Sequence, residues 1–487
     1  MVEDAEVSRI FADNYKGVRN MWRRSALFAL ALTLVILVVP ASRTATGQTS
    51  SPLFVGMGDS IGEGVQSADA NLFTQGFSFP NLIAWRMSAP FPIPLIRTNP
   101  FASLASIQGR PRIDPTVKTL NLAVSGADTE SLLNDAATAT DVSQITSETD
   151  LVLFPRLGSQ MQVAEQLRPA RVACWIGNND ALGAVLAFDH LDASQLTPVA
   201  DFMAHFTEIA DRLQAMGSKV VFGNIPDVTR IAFLVDSADL IRFLGSDFGL
   251  PSDSRTSLIA MVLVMVGLDD GSIFSNPDFV LDAQELQTIS AHVNALNDVI
   301  NDVAAAHGMA VADIHAAFDA LAANPPVIAG VPLTNRFLGG VFSLDGVHPS
   351  NIMQAIIANI FIDQFNAHYG TNTAPIDDDT LLFLFLTDPF VDKNGDGRVT
   401  GRPGAGLVET LSALLGFSGD PNDFGPPALS SSASLLQTTG RRAAMNKTAA
   451  TNFLNEYQRQ TGRDLRKMSR TEQLKWFREL FDSATRK

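Results

Sequence analysis

The sequence predicts an α/β fold: a parallel sheet covered by helices on both faces, followed by a smaller C-terminal extension. Three observations carry this prediction. Between residues 52 and about 369, short apolar segments alternate with longer helix-like stretches. Those segments are almost continuously apolar, as strands without a wet face must be. Glycine-flanked polar clusters follow the segments, where open α/β sheets place their ligands.

Taken in order, strands are predicted at 53–57, 119–124, 171–176, 219–223 and 309–314. The first ends in Gly58-Asp59-Ser60-Ile61-Gly62-Glu63-Gly64, a serine between small residues that a tight turn would expose as a nucleophile. Around the end of the second runs Asn121-Leu122-Ala123-Val124-Ser125-Gly126-Ala127, and around the end of the third Ile176-Gly177-Asn178-Asn179-Asp180. Far downstream, Leu344-Asp345-Gly346-Val347-His348-Pro349-Ser350 sets a carboxylate and an imidazole three positions apart. A helix follows, with Pro349 and Ser350 at its start, Ile352, Met353, Ile356, Ile357, Ile360 and Phe361 at helical spacing, and Gly370 past its end. It should pack on the sheet and hold Asp345 and His348 over the Ser60 turn.

A serine hydroxyl is a poor nucleophile near neutral pH and needs a base in hydrogen-bond reach, itself oriented by a third group. Ser60, His348 and Asp345 can fill those roles. Asp59 and Asp180 read as structural carboxylates, and Asn178 has no assigned chemistry. His292, His307 and His315 lack ligand spacing, which argues against zinc.

These four blocks, in this order, resemble the signature blocks of the GDSL/SGNH hydrolase family over residues 52–369, with Ile61 where Leu is frequent. The resemblance implies a three-layer α/β/α, flavodoxin-like SGNH-hydrolase fold with a central parallel sheet. It implies a Ser60–His348–Asp345 triad cleaving carboxylic esters through an acyl-enzyme. It also implies an oxyanion hole made of the Ser60 N–H, the Gly126 N–H and the Asn179 amide. Glycine at 126 fits independently, because no side chain then blocks the approach of a ligand to its N–H. A small-molecule or lipid ester is the implied substrate, with contact to a membrane or lipid surface, and catalysis is expected to need no cofactor. Around 157–180 and 231–287 the likeness is nearest to bacterial lipase-like members. Two alternatives remain open from the sequence: a carbohydrate deacetylase-type esterase, and a non-catalytic exported binding scaffold.

The 487-residue chain is long enough for two or three units, and its formal charge of −16 argues against a nucleic-acid partner. No partner protein is identifiable. Residues 1–47 read as leader and signal peptide: Met21-Trp22-Arg23-Arg24, the apolar run 26–39, then small residues through Gly47, where cleavage is expected. That run is shorter than the ~20 residues of a membrane-spanning helix, so export with cleavage is preferred to anchoring. Met21 is an alternative start. The single cysteine, Cys174, reads as core.

Between 231 and 287 the chain is longer than a crossover requires and contains the apolar run 258–266, readable as a lid, an acyl-pocket wall or a buried helix. A segment at 371–415, opened by Asp377-Asp378-Asp379, contains Asp392-Lys393-Asn394-Gly395-Asp396-Gly397, half of an EF-hand or dockerin-like calcium loop. Asp392, Asn394 and Asp396 are its candidate ligands, but Pro403 stands where the last carboxylate belongs. A linker is expected at 416–440. A basic helical tail is expected at 441–487, with helices at 452–460 and 470–482 and a capping box at Ser469-Arg470-Thr471-Glu472. The tail reads as a solvated helical pair or a binder of acidic surfaces.

Overall fold

The computed structural model describes residues 52–97, 112–186, 193–395 and 397–401, together with 408, 412, 417, 451, 454, 455, 458, 459, 462–473 and 475. The leader and signal peptide, most of the linker and much of the tail lie outside the described residues. At the centre, β1 (Phe54–Gly58) is followed by α1 (Ser60–Glu63) and α2 (Phe79–Arg86). Then come α3 (Thr129–Asn134), α4 (Gln160–Leu167), β2 (Arg171–Trp175), α5 (Asn178–Leu186), α6 (Val199–Ala215) and β3 (Lys219–Gly223).

The middle of the chain adds β4 (Leu234–Val235), α7 (Ser237–Leu244), β5 (Arg255–Ser257), α8 (Leu258–Met265), β6 (Val280–Leu281) and α9 (Ala283–Ala306). It continues through β7 (Ala310–Ala312), α10 (Ile314–Ala323), α11 (Asn351–Tyr369) and α12 (Asp378–Thr387).

β1, β2, β3 and β7 form one parallel sheet in that order. Helices α2 and α11 pack on one face, and α4, α6 and α9 on the other, so the three-layer α/β/α arrangement holds. Every β1 residue is buried, which is why its sequence is apolar at successive positions rather than alternating. Trp175 closes β2 under the sheet, edge-on to Phe79, which stacks on Phe361 of α11, while its indole N–H donates to Asn224 O at 3.0 Å. A buried indole needs such an acceptor.

Residues 119–124 were expected as a full strand. They run beside β1, with Gly56 N–H donating to Leu120 O (3.1 Å), Leu122 N–H to Gly56 O (2.7 Å) and Val124 N–H to Gly58 O (3.1 Å), but make one isolated bridge, Gly56 to Asn121. Thr119 Oγ1 and the Asn121 side chain bond to nearby backbone, competing with a regular ladder. The last strand is also shorter than expected, because Asp313 caps α10 through Ala316 N–H and ends the extended run.

Helix α11 has its expected ends: the Ser350 hydroxyl accepts from Met353 N–H, and Gly370 closes it in the left-handed conformation. The 231–287 segment forms a three-stranded antiparallel sheet, β4-β5-β6, with α7 and α8. Seven of the eight α8 residues are buried, so the apolar run is a core helix.

After Gly370 the chain stays against the body. Asp377 caps α12, which packs on α11, and Phe417, at the start of the expected linker, is buried edge-on to Phe243 and Phe337. Ser469 and Glu472 close the expected capping box, and Arg470 pairs with Asp269.

Candidate active site

Ser60 opens α1 immediately beyond β1. Asp59 caps this single turn, its Oδ1 accepting from Ile61 N–H at 2.9 Å, and Gly64 ends it in the left-handed region. Gly58 admits no side chain: at φ +142° a Cβ would lie 2.1 Å from Trp175 O. The Gln160 amide holds this glycine from both sides, accepting from Gly58 N–H (3.0 Å) and donating to Gly58 O (2.8 Å). The Gly58 backbone, two residues before the nucleophile, is thus held by a side chain of α4.

His348 Nε2 lies 2.8 Å from Ser60 Oγ, and His348 Nδ1 lies 2.7 Å from Asp345 Oδ2. All three side chains are buried. Asp345 Oδ1 also accepts from Val347 N–H (2.8 Å), His348 N–H (2.9 Å) and the Ser343 hydroxyl (3.2 Å), and its Oδ2 from Ala68 N–H (2.6 Å). Burial by itself would raise the Asp345 pKa, but the His348 charge and these hydrogen bonds outweigh it and hold the carboxyl below its ordinary value.

The Ala68 donor comes from a hairpin in which Ser67 and Ala68 both have positive φ, 52° and 58°, the geometry of a two-residue type I′ turn. Nothing in the local sequence announced that role. The loop bearing Asp345 is seated on the 231–287 segment: Phe233 N–H donates to Gly346 O at 2.8 Å.

Gly126 has φ +80°, and neither its N–H nor that of Ser60 donates a hydrogen bond among the described residues. Asn179, near the start of α5, donates one amide hydrogen to Ala127 O at 2.7 Å, next to Gly126. Asn178, unassigned from sequence, donates to Asp59 Oδ2 at 2.8 Å. Burial, opposed by that bond and the one from Ile61, pushes Asp59 up to about 6. Asp180 is likewise pushed to about 6, first by burial and then by Asp128, while accepting from both Thr129 donors. Both carboxylates therefore act as scaffolding. Cys174 is buried and its thiol pKa is raised by burial, which leaves it no thiolate character.

Of the calcium-loop residues, Asp392 Oδ2 accepts from Gly397 N–H (2.6 Å) and lies 3.9 Å from Arg242 Nη2, and Asp396 falls outside the described residues. Among the described residues, no group of three or more His, Cys, Asp or Glu side chains is arranged to hold a metal ion. His292, His307 and His315 each bond a backbone carbonyl oxygen.

The model of GDSL-like Lipase/Acylhydrolase matches residues 54–361, more than half of the chain. The chain belongs to this family. It is a GDSL hydrolase, an enzyme of ester bonds. Among solved structures, this GDSL hydrolase is similar to LAE5, an alpha/beta hydrolase enzyme from the metagenome of Lake Arreo, Spain, at 14% identity and TM-score 0.32, covering 65% of this chain and 95% of that one. It is also similar to phospholipase A1 from Streptomyces albidoflavus NA297, at 20% identity and TM-score 0.29, covering 65% and 100%. No curated protein matches the sequence.

Proposed function

We propose that this GDSL hydrolase is an exported serine esterase or lipase in which Ser60 is the nucleophile, His348 the general base and acid, and Asp345 the group that orients His348. The observation that carries the reading is the unbroken line Ser60 Oγ, His348 Nε2, His348 Nδ1, Asp345 Oδ2, with contacts of 2.8 and 2.7 Å at its two ends. An ionised Asp345 keeps the imidazole proton on Nδ1, so Nε2 is free to take the proton from Ser60 as its oxygen attacks the ester carbonyl. His348 then returns that proton to the departing alcohol. Water enters, gives a proton to His348 and attacks the acyl-enzyme, and collapse of the second tetrahedral intermediate releases the acid and returns the proton to Ser60.

The Ser60 and Gly126 N–H groups and the remaining Asn179 amide hydrogen are the proposed oxyanion donors. Each such donor contributes roughly 2.7–4 kcal/mol in a water-poor site. Export rests on the basic, apolar and small-residue succession of residues 21–47.

The test is hydrolysis of p-nitrophenyl esters from acetyl to long acyl by the parent and by Ser60→Ala, with fluorophosphonate labelling of both. Ester cleavage and labelling should vanish together in the variant. Ester cleavage that survives in Ser60→Ala would refute the mechanism. Calcium binding by Asp392, Asn394 and Asp396 is a separate proposal, and the closeness of Arg242 to Asp392 weighs against it. Calorimetric titration of the parent and Asp396→Ala tests it, and absence of calcium heat in the parent would remove it.

A further inference from the structure

Glu63 is a buried carboxyl group, 1% exposed, for which neither the triad nor the oxyanion donors have a use. It sits on the same four-residue helix as Ser60, one turn on. Its Oε2 accepts two hydrogen bonds from Ser125, one from the backbone N–H at 2.7 Å and one from the hydroxyl at 2.5 Å. Ser125 immediately precedes Gly126. A carboxyl group taken out of water is costly unless its oxygens are hydrogen-bonded, so a residue that only filled this space would be better apolar.

The surrounding contacts show what the bonds fasten. The Asn121 amide donates to Gly62 O at 2.8 Å, and a Cβ on Gly62 would come within 2.8 Å of Ala123 Cβ, so α1 is pressed closely against residues 121–123. Glu63 extends that contact to residue 125. On the far side, Asn179 holds Ala127. The Gly126 N–H, which donates no hydrogen bond among the described residues, therefore lies between two residues that are each tied down, one of them to the helix that starts with Ser60.

We propose that Glu63 is a positioning residue that sets the distance between the Ser60 N–H and the Gly126 N–H, so that both donors meet one oxyanion. The kinetic part of this inference rests on the ester-hydrolase reading; the structural part does not. Because one oxygen accepts both Ser125 bonds, a glutamine oxygen can do the same. The role is one of geometry, carried by the two bonds to Ser125. Glu63→Gln should therefore work, whereas Glu63→Ala should not.

The experiment compares the parent, Glu63→Gln and Glu63→Ala, each corrected for folded fraction. It measures kcat and KM on p-nitrophenyl butyrate, affinity for a trifluoromethyl ketone that adds to the serine, and amide hydrogen exchange at Ser125. In Glu63→Ala, kcat should fall about 100-fold with KM within about threefold, as for loss of an oxyanion donor. Ketone affinity should fall in step with kcat, and exchange at Ser125 should quicken. Glu63→Gln should restore all three. The proposal is overturned if Glu63→Ala only melts earlier while keeping kcat and ketone affinity per folded molecule, or if folded Glu63→Gln is as impaired as Glu63→Ala. A parent without Ser60-dependent ester cleavage would instead defeat the ester-hydrolase reading. Hydrogen exchange then decides Glu63 alone, and unchanged exchange at Ser125 in Glu63→Ala overturns its role.

Discussion

Replacing Asp345 with Asn removes a charge while changing the shape of the side chain least, and its consequences follow from five contacts. The carboxylate accepts from Val347 N–H, His348 N–H, the Ser343 hydroxyl, Ala68 N–H and His348 Nδ1, and all of these can be donors at once. Asn offers one oxygen and one NH2 group. If its oxygen keeps the Val347 side, the NH2 group faces Ala68 N–H and His348 Nδ1. If it is turned over, the NH2 group faces two backbone N–H groups and the Ser343 hydroxyl. Either way at least one buried backbone N–H loses its acceptor, a cost of about 1–3 kcal/mol. In the first orientation His348 also moves its proton to Nε2 and can no longer accept from Ser60, which in triads of this kind lowers kcat by about 10⁴-fold. The assay is kcat for p-nitrophenyl butyrate per folded molecule, with folded fraction taken from denaturant unfolding of Asp345→Asn. A loss of roughly 10³–10⁴-fold is expected, with KM changed far less. A folded variant within about tenfold of the parent would refute the assignment of Asp345 as the group that orients His348.

Three further outcomes are expected. Gly346→Ala puts a Cβ 2.5 Å from Phe233 N and 2.8 Å from Ala232 C at φ +73°, so it should cost about 2–5 kcal/mol of stability by urea unfolding and lower kcat, because the strained loop carries Asp345. Asn179→Ala should lower kcat by about 10²–10³-fold with little change in KM, and an unchanged kcat would remove Asn179 from the oxyanion hole. Asp180 has a folded pKa near 6 against 3.8 for the free side chain, so between those values the native state keeps a proton that the unfolded chain has released. Stability from this group is complete below the lower value and is lost as pH rises through the upper one, by at most about 3 kcal/mol. Asp180→Asn should flatten that part of the stability–pH curve, and an unaltered slope between pH 4 and 6 would contradict the assignment.

The catalytic candidates were legible because each stands in a short segment whose chemistry is local: a serine between glycines after an apolar strand, and an Asp and a His before a well-capped helix. The same holds for α11, whose Ser350 and Gly370 caps are written in the sequence at its two ends. What was not legible depends on contacts between residues far apart in the chain. Gln160 reads as one more polar residue in the first turn of a helix, yet it grips Gly58 a hundred positions earlier. Ala68 has no functional group, and it matters through an N–H that reaches Asp345 only because the hairpin turns at residues 67 and 68. The apolar run in α8 could line a pocket or fill a core with equal composition, and packing chose the core. Phe417 is one of two phenylalanines in a segment rich in Gly, Pro and Ser, and only the two rings it meets reveal that it is held.

These long-range contacts share a physical form. Gln66 donates to Pro349 O and to the Asn351 side chain, Gln354 joins Phe79 N–H to Ile61 O, Gln160 brackets Gly58, and Glu63 takes both donors of Ser125. Each is a long, buried polar side chain bonded across the gap between two segments that meet at the carboxyl ends of the sheet. Apolar packing alone would bring those segments together, but it is non-directional and leaves small displacements nearly free in energy. A buried amide or carboxylate with its bonds made penalises any shift that breaks them by about 1–3 kcal/mol. Three loops and a helix turn that must agree to a fraction of an ångström around Ser60 are therefore held by polar side chains rather than by the core beneath them. It follows that truncating these side chains should impair kcat more than it lowers the melting temperature, the reverse of what truncating Phe79 or Trp175 should do.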